Sequence, residues 1–472
     1  MVIIVPKKTS SNSQIKAQKN KLKSSNLNQV VDIAALEPSQ VQNESTASKL
    51  TRNNFGFNQG VNVVNQTNLL REVIVHRPGL EIERLVNKLT TISNFEGNLH
   101  LERAQREHDL FVNILKKRGV KVYYLEKMVA EALEFAGPLV KDQFIKRFVS
   151  EAKIQSVSVY QTCVNYFRSF NSGIDMVNAM IAGVKISEVP PIEQNRFSDI
   201  LLSSNPFLIT PLPKFLFQRE LFHVLGNGIS LFKSGNHQGQ RASLFYEYLI
   251  KFHPRFDNLN LYFNRDFENC EISGNDVVLL NDTNLLIGIS EQTDVVAIET
   301  LARNVFNDRK NSIKRIVAIN VHTYQLSEAS RSLSQMFNVV DRDKFIIDES
   351  VLNVSEIFEI TSSIEKDIDG INKLNFKQLE LSFSEVIELL INKRPKFVIC
   401  GGGDEIRSER ERNYYGINTL TIAPGEIVAY DRNHYTNQLL INLGVTIHTI
   451  PSAELSRAPG GPFNMICPLW RE

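Results

Sequence analysis

Cysteine is scarce: Cys163, Cys270, Cys400 and Cys467 are the only four in 472 residues, and they stand far apart. They form no Cys-x-x-Cys pair and no Cys/His cluster, which argues against a structural zinc site and a disulfide framework and fits a reducing compartment. Long hydrophobic runs are lacking as well. No stretch approaches the roughly 20 apolar residues that cross a bilayer. The opening "MVIIV" is shorter than a secretion signal's apolar region and precedes its lysines instead of following them. The expected location is therefore the cytoplasm, with no membrane span. Excess charge of either sign is the third absence. Lys+Arg 53 against Asp+Glu 52 leaves a formal net charge of +1, so no nucleic-acid partner is expected. What is present is 42% hydrophobic content, enough over this length to bury a large core in about two or three domains.

Residues 1–66 are rich in Ser, Asn, Gln and Lys, without helical or strand periodicity, and are expected to be a disordered tail. Its lysine-bearing start, "PKKTSSNSQIKAQKNKLKSS", is either a solvated extension or a docking segment. Order is expected from "LLREVIVHRPG", a strand stopped by Pro78-Gly79. A helix follows, with Leu110, Phe111, Ile114 and Leu115 predicted on its buried face and Gly119 as its stop.

The same word order returns twice. "DVVLLNDTNLLIGIS" reads as a hairpin, "EQTDVVAIETLARNVF" as a helix and "IKRIVAI" as a strand; "TLTIAPGEIVAYDRN", "HYTNQLLINLG" and "VTIHTI" repeat the unit. A tight hairpin in each unit points to a pseudo-symmetric α/β assembly, not a doubly wound sheet. Between about residues 128 and 204 the pattern becomes helical without intervening strands, the mark of an inserted helical domain.

Seven collinear segments then resemble the arginine deiminases of the guanidine-modifying (pentein) superfamily, from about Leu70 to Glu472. They are "LREVIVHRPGLEIERL", "AQREHDLFV", "PLPKFLFQRELFHVLGNGIS", "SGNDVVLLNDTNLLIGISEQT", "MFNVVDRD", "GGGDEIRSERERNYYGINTLTIAPGEIVAYDRNHYTN" and "GGPFNMICPL". The resemblance implies a five-bladed pseudo-symmetric α/β-propeller over residues 67–472, interrupted by the helical insertion. It also implies a reaction, arginine to citrulline and ammonia through a covalent thiouronium, with no metal or cofactor. A thiolate attacks the guanidinium carbon, a histidine moves protons, and carboxylates hold the cation.

Carried onto this chain, those roles fall on other residue types. The nucleophile's place, ahead of "MICP", is Asn464. The histidine and the carboxylate two residues after it fall at Ser332 and Ser334, and the glutamate of the family's Glu-Gly-Gly-Asp stretch at Ser273, with Asp276 kept. The aspartate after the arginine in "FQRE" is Glu220. Substrate-holding positions depart too: Lys214 for an asparagine, with Gln292, Pro459 and Gly239 for arginines. An amide cannot be deprotonated near neutrality, so Asn464 cannot serve as a nucleophile.

The remaining candidates read as structural. Cys467 is expected to be a packing cysteine, His322 and His434 surface or capping residues, and "GGGD" at 401–404 a turn. The expectation is an inactive deiminase-like protein that works by assembly, as a homo-oligomer or with a related protein, and takes no small-molecule ligand. The alternative is a hydrolase, acting on arginine or on another small molecule through Glu220, Asp276 and the serines.

Overall fold

In the computed structural model, residues 60–472 are described, except 87–88, 90–92, 193–205, 233–236, 267–269, 322–331, 367–369 and 371. Five three-stranded units share one plan: an antiparallel pair, then a third strand running parallel to the second. A parallel partner cannot follow through a tight turn, so a crossover is required, and in each unit a helix supplies it.

The third and fifth units match the repeated word order. Val277–Leu279 and Asn284–Ile289 form a hairpin, helix Val295–Asn307 crosses over, and Arg315–Asn320 pairs parallel to the second strand. Leu420–Ala423, Glu426–Tyr430, helix His434–Asn442 and Thr446–Ile450 repeat this plan, with Gly425 supplying the positive φ of the Pro424-Gly425 turn. The second unit is Phe222–Leu225, Gly228–Leu231, helix His237–Phe252 and Leu261–Phe263. The fourth is Phe337–Val339, Lys344–Ile347, helix Phe383–Ile391 and Lys396–Ile399. These units are the five blades of an α/β-propeller.

The first blade closes the ring from both ends of the fold. Leu70–Val75 pairs parallel with Lys121–Tyr124 and antiparallel with Ile466–Arg471. Its crossover helix, Leu101–Lys117, ends ahead of Gly119 at φ +79°. The buried face of that helix is Ala104, Glu107, His108, Phe111, Val112 and Leu115, while Leu110 is 47% exposed. The expectation for Leu110 was wrong. At 100° per residue it lies one step outside the stripe set by 104, 108, 111 and 115.

The ordered chain also begins earlier than Gln66. Asn62 N donates to Leu469 O at 2.9 Å, Arg471 N to Asn62 O at 2.7 Å, and Val63 exchanges hydrogen bonds with Gly226. Val61, Val63, Asn65 and Gln66 are buried. Residues 60–66, read as part of the tail, therefore pack against the blades. Residues 1–59 lie outside the described residues.

Between the first two blades, helices Leu125–Ala136, Pro138–Glu151, Val157–Arg168 and Gly173–Ala182 follow one another. Pro138 sits at the first helical position of the second. Ser156 and Ser172 cap the last two through Val159 N and Asp175 N. Their apolar side chains join those of the second and third blades in one core that includes Phe144, Phe148, Phe222, Ile229 and Leu285. A hairpin without a counterpart in the sequence reading, Ile357–Lys366 with Asn372–Gln378, extends the third blade to five strands. No described helix is long and apolar enough to cross a membrane.

Candidate functional site

Four turns, distant in sequence, meet one another. They are the 3-10 turns Gln218–Glu220 and Gly274–Asp276, the start of helix Leu333–Met336 with its N-cap Ser332, and the final loop 459–464. Backbone and side-chain bonds stitch them together. Arg219 N donates to Asn464 O at 3.2 Å, and Asn464 Nδ2 donates to Asn275 Oδ1. Asp276 Oδ1 accepts from Leu333 N at 2.8 Å. Asn418 Nδ2 reaches Ser334 O at 3.4 Å, while its Oδ1 accepts from Gly461 N at 3.0 Å.

Asn464, at the expected nucleophile position, is 4% exposed. Its amide nitrogen is bound to Asn275. Ser273 lies in the same cluster and caps the turn by accepting from Asn275 N at 3.3 Å. Ser332 and Ser334 are buried with their hydroxyl oxygens 3.2 Å apart. The sequence-aligned positions Ser273, Asp276, Ser332, Ser334 and Asn464 are thus brought together, and the four turns hold no cysteine and no histidine. Asn275 was missed by the sequence reading, because its partner lies 189 residues away and an Asn in a 3-10 turn signals only a turn.

Asp276 is the one acid wholly inside the cluster. Burial pushes its carboxyl up to about 6, against the lowering effect of its donors. Those donors occupy both oxygens: Thr293 and Ser290 hydroxyls at 2.7 Å each on Oδ2, and Leu333 N on Oδ1. Gly288 permits the approach, since a Cβ there would lie 2.8 Å from Asp276 Oδ1. Asp276 therefore ties the third blade to the fourth.

Lys214, Glu220 and Gly239 line a separate small cavity of about 20 Å³ with Leu212, Phe215 and Gln238, room for about one water. Gln292 is exposed, its backbone N–H bonded to Ser290 Oγ at 3.0 Å, and it does not join either group. Pro459 is half-buried at the entry to the final loop. A Gly-Gly turn can bring backbone close to a ligand, but here a Cβ at Gly460 would strike the Phe217 ring and one at Gly461 would strike Asn418, so both glycines serve internal packing.

Cys467 is fully buried, its Sγ 3.2 Å from Phe222 O, and burial pushes the thiol up to about 12. All four cysteines are buried and none forms a disulfide among the described residues. His434 stands exposed at the first turn of its helix, against Tyr435. Gly401 to Gly403 adopt positive φ and Asp404 caps the next helix through Arg407 N, a turn and not a phosphate cradle. His322 lies outside the described residues.

A sequence model of the arginine deiminase family matches residues 94–471. An arginine deiminase-like protein of Mycoplasma pneumoniae is 48% identical over 416 residues, covering 88% of this chain and 93% of that one. An arginine deiminase of Clostridium perfringens is 36% identical over 416 residues, 88% of this chain and 98% of its own. Among solved structures, SxtG, an amidinotransferase from Microseira wollei, overlays with a TM-score of 0.49 at 13% identity, over 87% of this chain and 98% of that one. With the family model matched over residues 94–471 and a relative 48% identical over 88% of the chain, the chain belongs to the arginine deiminase family.

Proposed function

We propose that this chain is a non-catalytic member of its family, working in the cytoplasm as a structural, assembly or regulatory protein, in a homo-oligomer or with a related protein. The observation that carries the reading is Asn464. The residue aligned with the attacking thiolate is an amide, and its nitrogen is engaged by Asn275. Cys467, the thiol nearest in sequence, is protonated at any physiological pH because burial holds it at about 12. Asp276 has both oxygens occupied, and the cavity at Lys214, Glu220 and Gly239 admits about one water. Where nucleophile and base act as a unit, losing either lowers turnover on the order of a million-fold, and losing both lowers it little further.

Purified protein incubated with arginine is expected to form citrulline no faster than buffer does. Citrulline production abolished by a thiol reagent would overturn the reading. For the assembly part, light scattering after size exclusion should give a mass that is a multiple of the 53.7 kDa chain or of a defined complex. A monomer with no co-purifying relative of the family would remove that part of the proposal.

A further inference from the structure

Behind the turn Gln218–Glu220, a small cavity of about 10 Å³ is lined by Gln66, Arg219, His223 and Arg471, with three valines, Leu279 and Pro468 completing its wall. Arg471 comes from the first blade, His223 from the second, and Val277 and Leu279 from the third. All four polar side chains are at least nine-tenths buried. Three of them leave one atom without a hydrogen-bond partner, Gln66 Oε1, Arg219 Nη2 and Arg471 Nε, while the His223 ring bonds to the backbone of Arg219 and Gly274. Three orphaned polar atoms around one void are not scatter. They define a missing occupant.

Charge decides what the occupant is. Arg219 gives its Nε to Phe463 O at 3.0 Å, and Arg471 gives its two Nη groups to Asn68 O and Thr421 O at 2.7 Å each. Those acceptors are neutral backbone carbonyls, and no carboxylate lines the cavity. Burial lowers Arg219 to about 10 and, with the neighbouring Arg219 charge, Arg471 to about 9, so both stay cationic at neutral pH. A water would satisfy the donors and leave two buried positive charges uncompensated, which is the costlier deficit.

We propose that this cavity binds one small monovalent anion of the chloride class, held between Arg219 Nη2 and Arg471 Nε. His223 stays neutral beside the ion; burial, then the Arg219 charge, keeps it well below its ordinary value. Gln66 turns its amide so that the nitrogen, a donor, faces the ion. The void excludes carboxylate- or phosphate-sized anions by volume. The site joins three blades through one ion.

The test uses the full chain, purified into gluconate and melted at constant ionic strength with increasing chloride or bromide. Saturable stabilisation is expected, a rise in Tm on the order of 2–5 °C, shared by both halides and absent in Arg471→Met. Crystals of the unaltered protein grown in bromide should show an anomalous peak between Arg219 Nη2 and Arg471 Nε. That measurement stands even if the variant does not fold. Equal melting in gluconate and chloride, or a peak-free water at the position, would overturn the proposal.

Discussion

His76→Ala is expected to lower the free energy of unfolding by about 3–5 kcal/mol at pH 7, the usual result of removing one member of a buried ionic cluster. His76 follows the first blade's strand and is 3% exposed. Its Nδ1 lies 3.0 Å from Glu126 Oε2 and its Nε2 3.2 Å from Glu81 Oε1. With a carboxylate on each nitrogen, both nitrogens donate, so the ring is an imidazolium. Burial opposes that charge, but Glu126 and Glu81 outweigh it and raise the histidine to about 10. His108, also buried, is driven the other way, down to about 3, by burial and by the His76 charge.

The cluster fixes the propeller to its insertion, because Glu126 belongs to helix Leu125–Ala136 and Glu81 to the short helix Leu80–Glu83. It also floors a cleft of about 530 Å³ that Arg77, Arg84 and Asp175 face from the surrounding elements. The sign of the pH effect follows. A histidine raised from 6.5 to about 10 contributes its full stability below pH 6.5 and loses it as pH climbs through 10. Urea unfolding of the unaltered protein should weaken between pH 7 and 10, and His76→Ala should lack that limb. A change below about 1 kcal/mol, or an unaltered alkaline limb, would mean the ring is neutral.

None of this was legible in "HRPG". The motif announces a turn, and Glu126 lies 50 residues further on. The sequence could be read where the signal is local. Val277 to Asn320 and Leu420 to Ile450 carry hairpin, helix and strand in consecutive words, and both formed as read. The closure of the first blade by Ile466–Arg471 pairs segments about 400 residues apart, for which no local pattern exists. The hairpin at 357–378 escaped for the opposite reason. Its strands alternate poorly, with Ile364 99% exposed and Phe376 53% exposed, so the burial rhythm that marks a strand is absent. The site divided along the same line. Alignment placed Ser273, Ser332, Ser334 and Asn464 on turns that do converge, but the bonds that join them, through Asn275 and Asn418, span 84 to 189 residues.

Asp276→Asn should abolish a pH dependence that the unaltered protein shows between about pH 4 and 7, and Asp276→Ala should destabilise it by about 2–4 kcal/mol. Burial raises this carboxyl from 3.8 to about 6. An acid raised on folding stabilises most when protonated. Its contribution is present below 3.8 and is lost as pH rises through about 6. At about 1.4 kcal/mol per unit, that is a loss of roughly 3 kcal/mol by pH 7. Asparagine removes the titration while filling the same space, so its melting should be flat over that window. Alanine instead leaves the Leu333 N–H, and one or both hydroxyls of Ser290 and Thr293, without an acceptor in a buried site. Equal slopes for Asp276→Asn and the unaltered protein would place the titration elsewhere. A carboxylate that accepts from Leu333 N on one oxygen and from the Ser290 and Thr293 hydroxyls on the other is part of the frame that joins two blades.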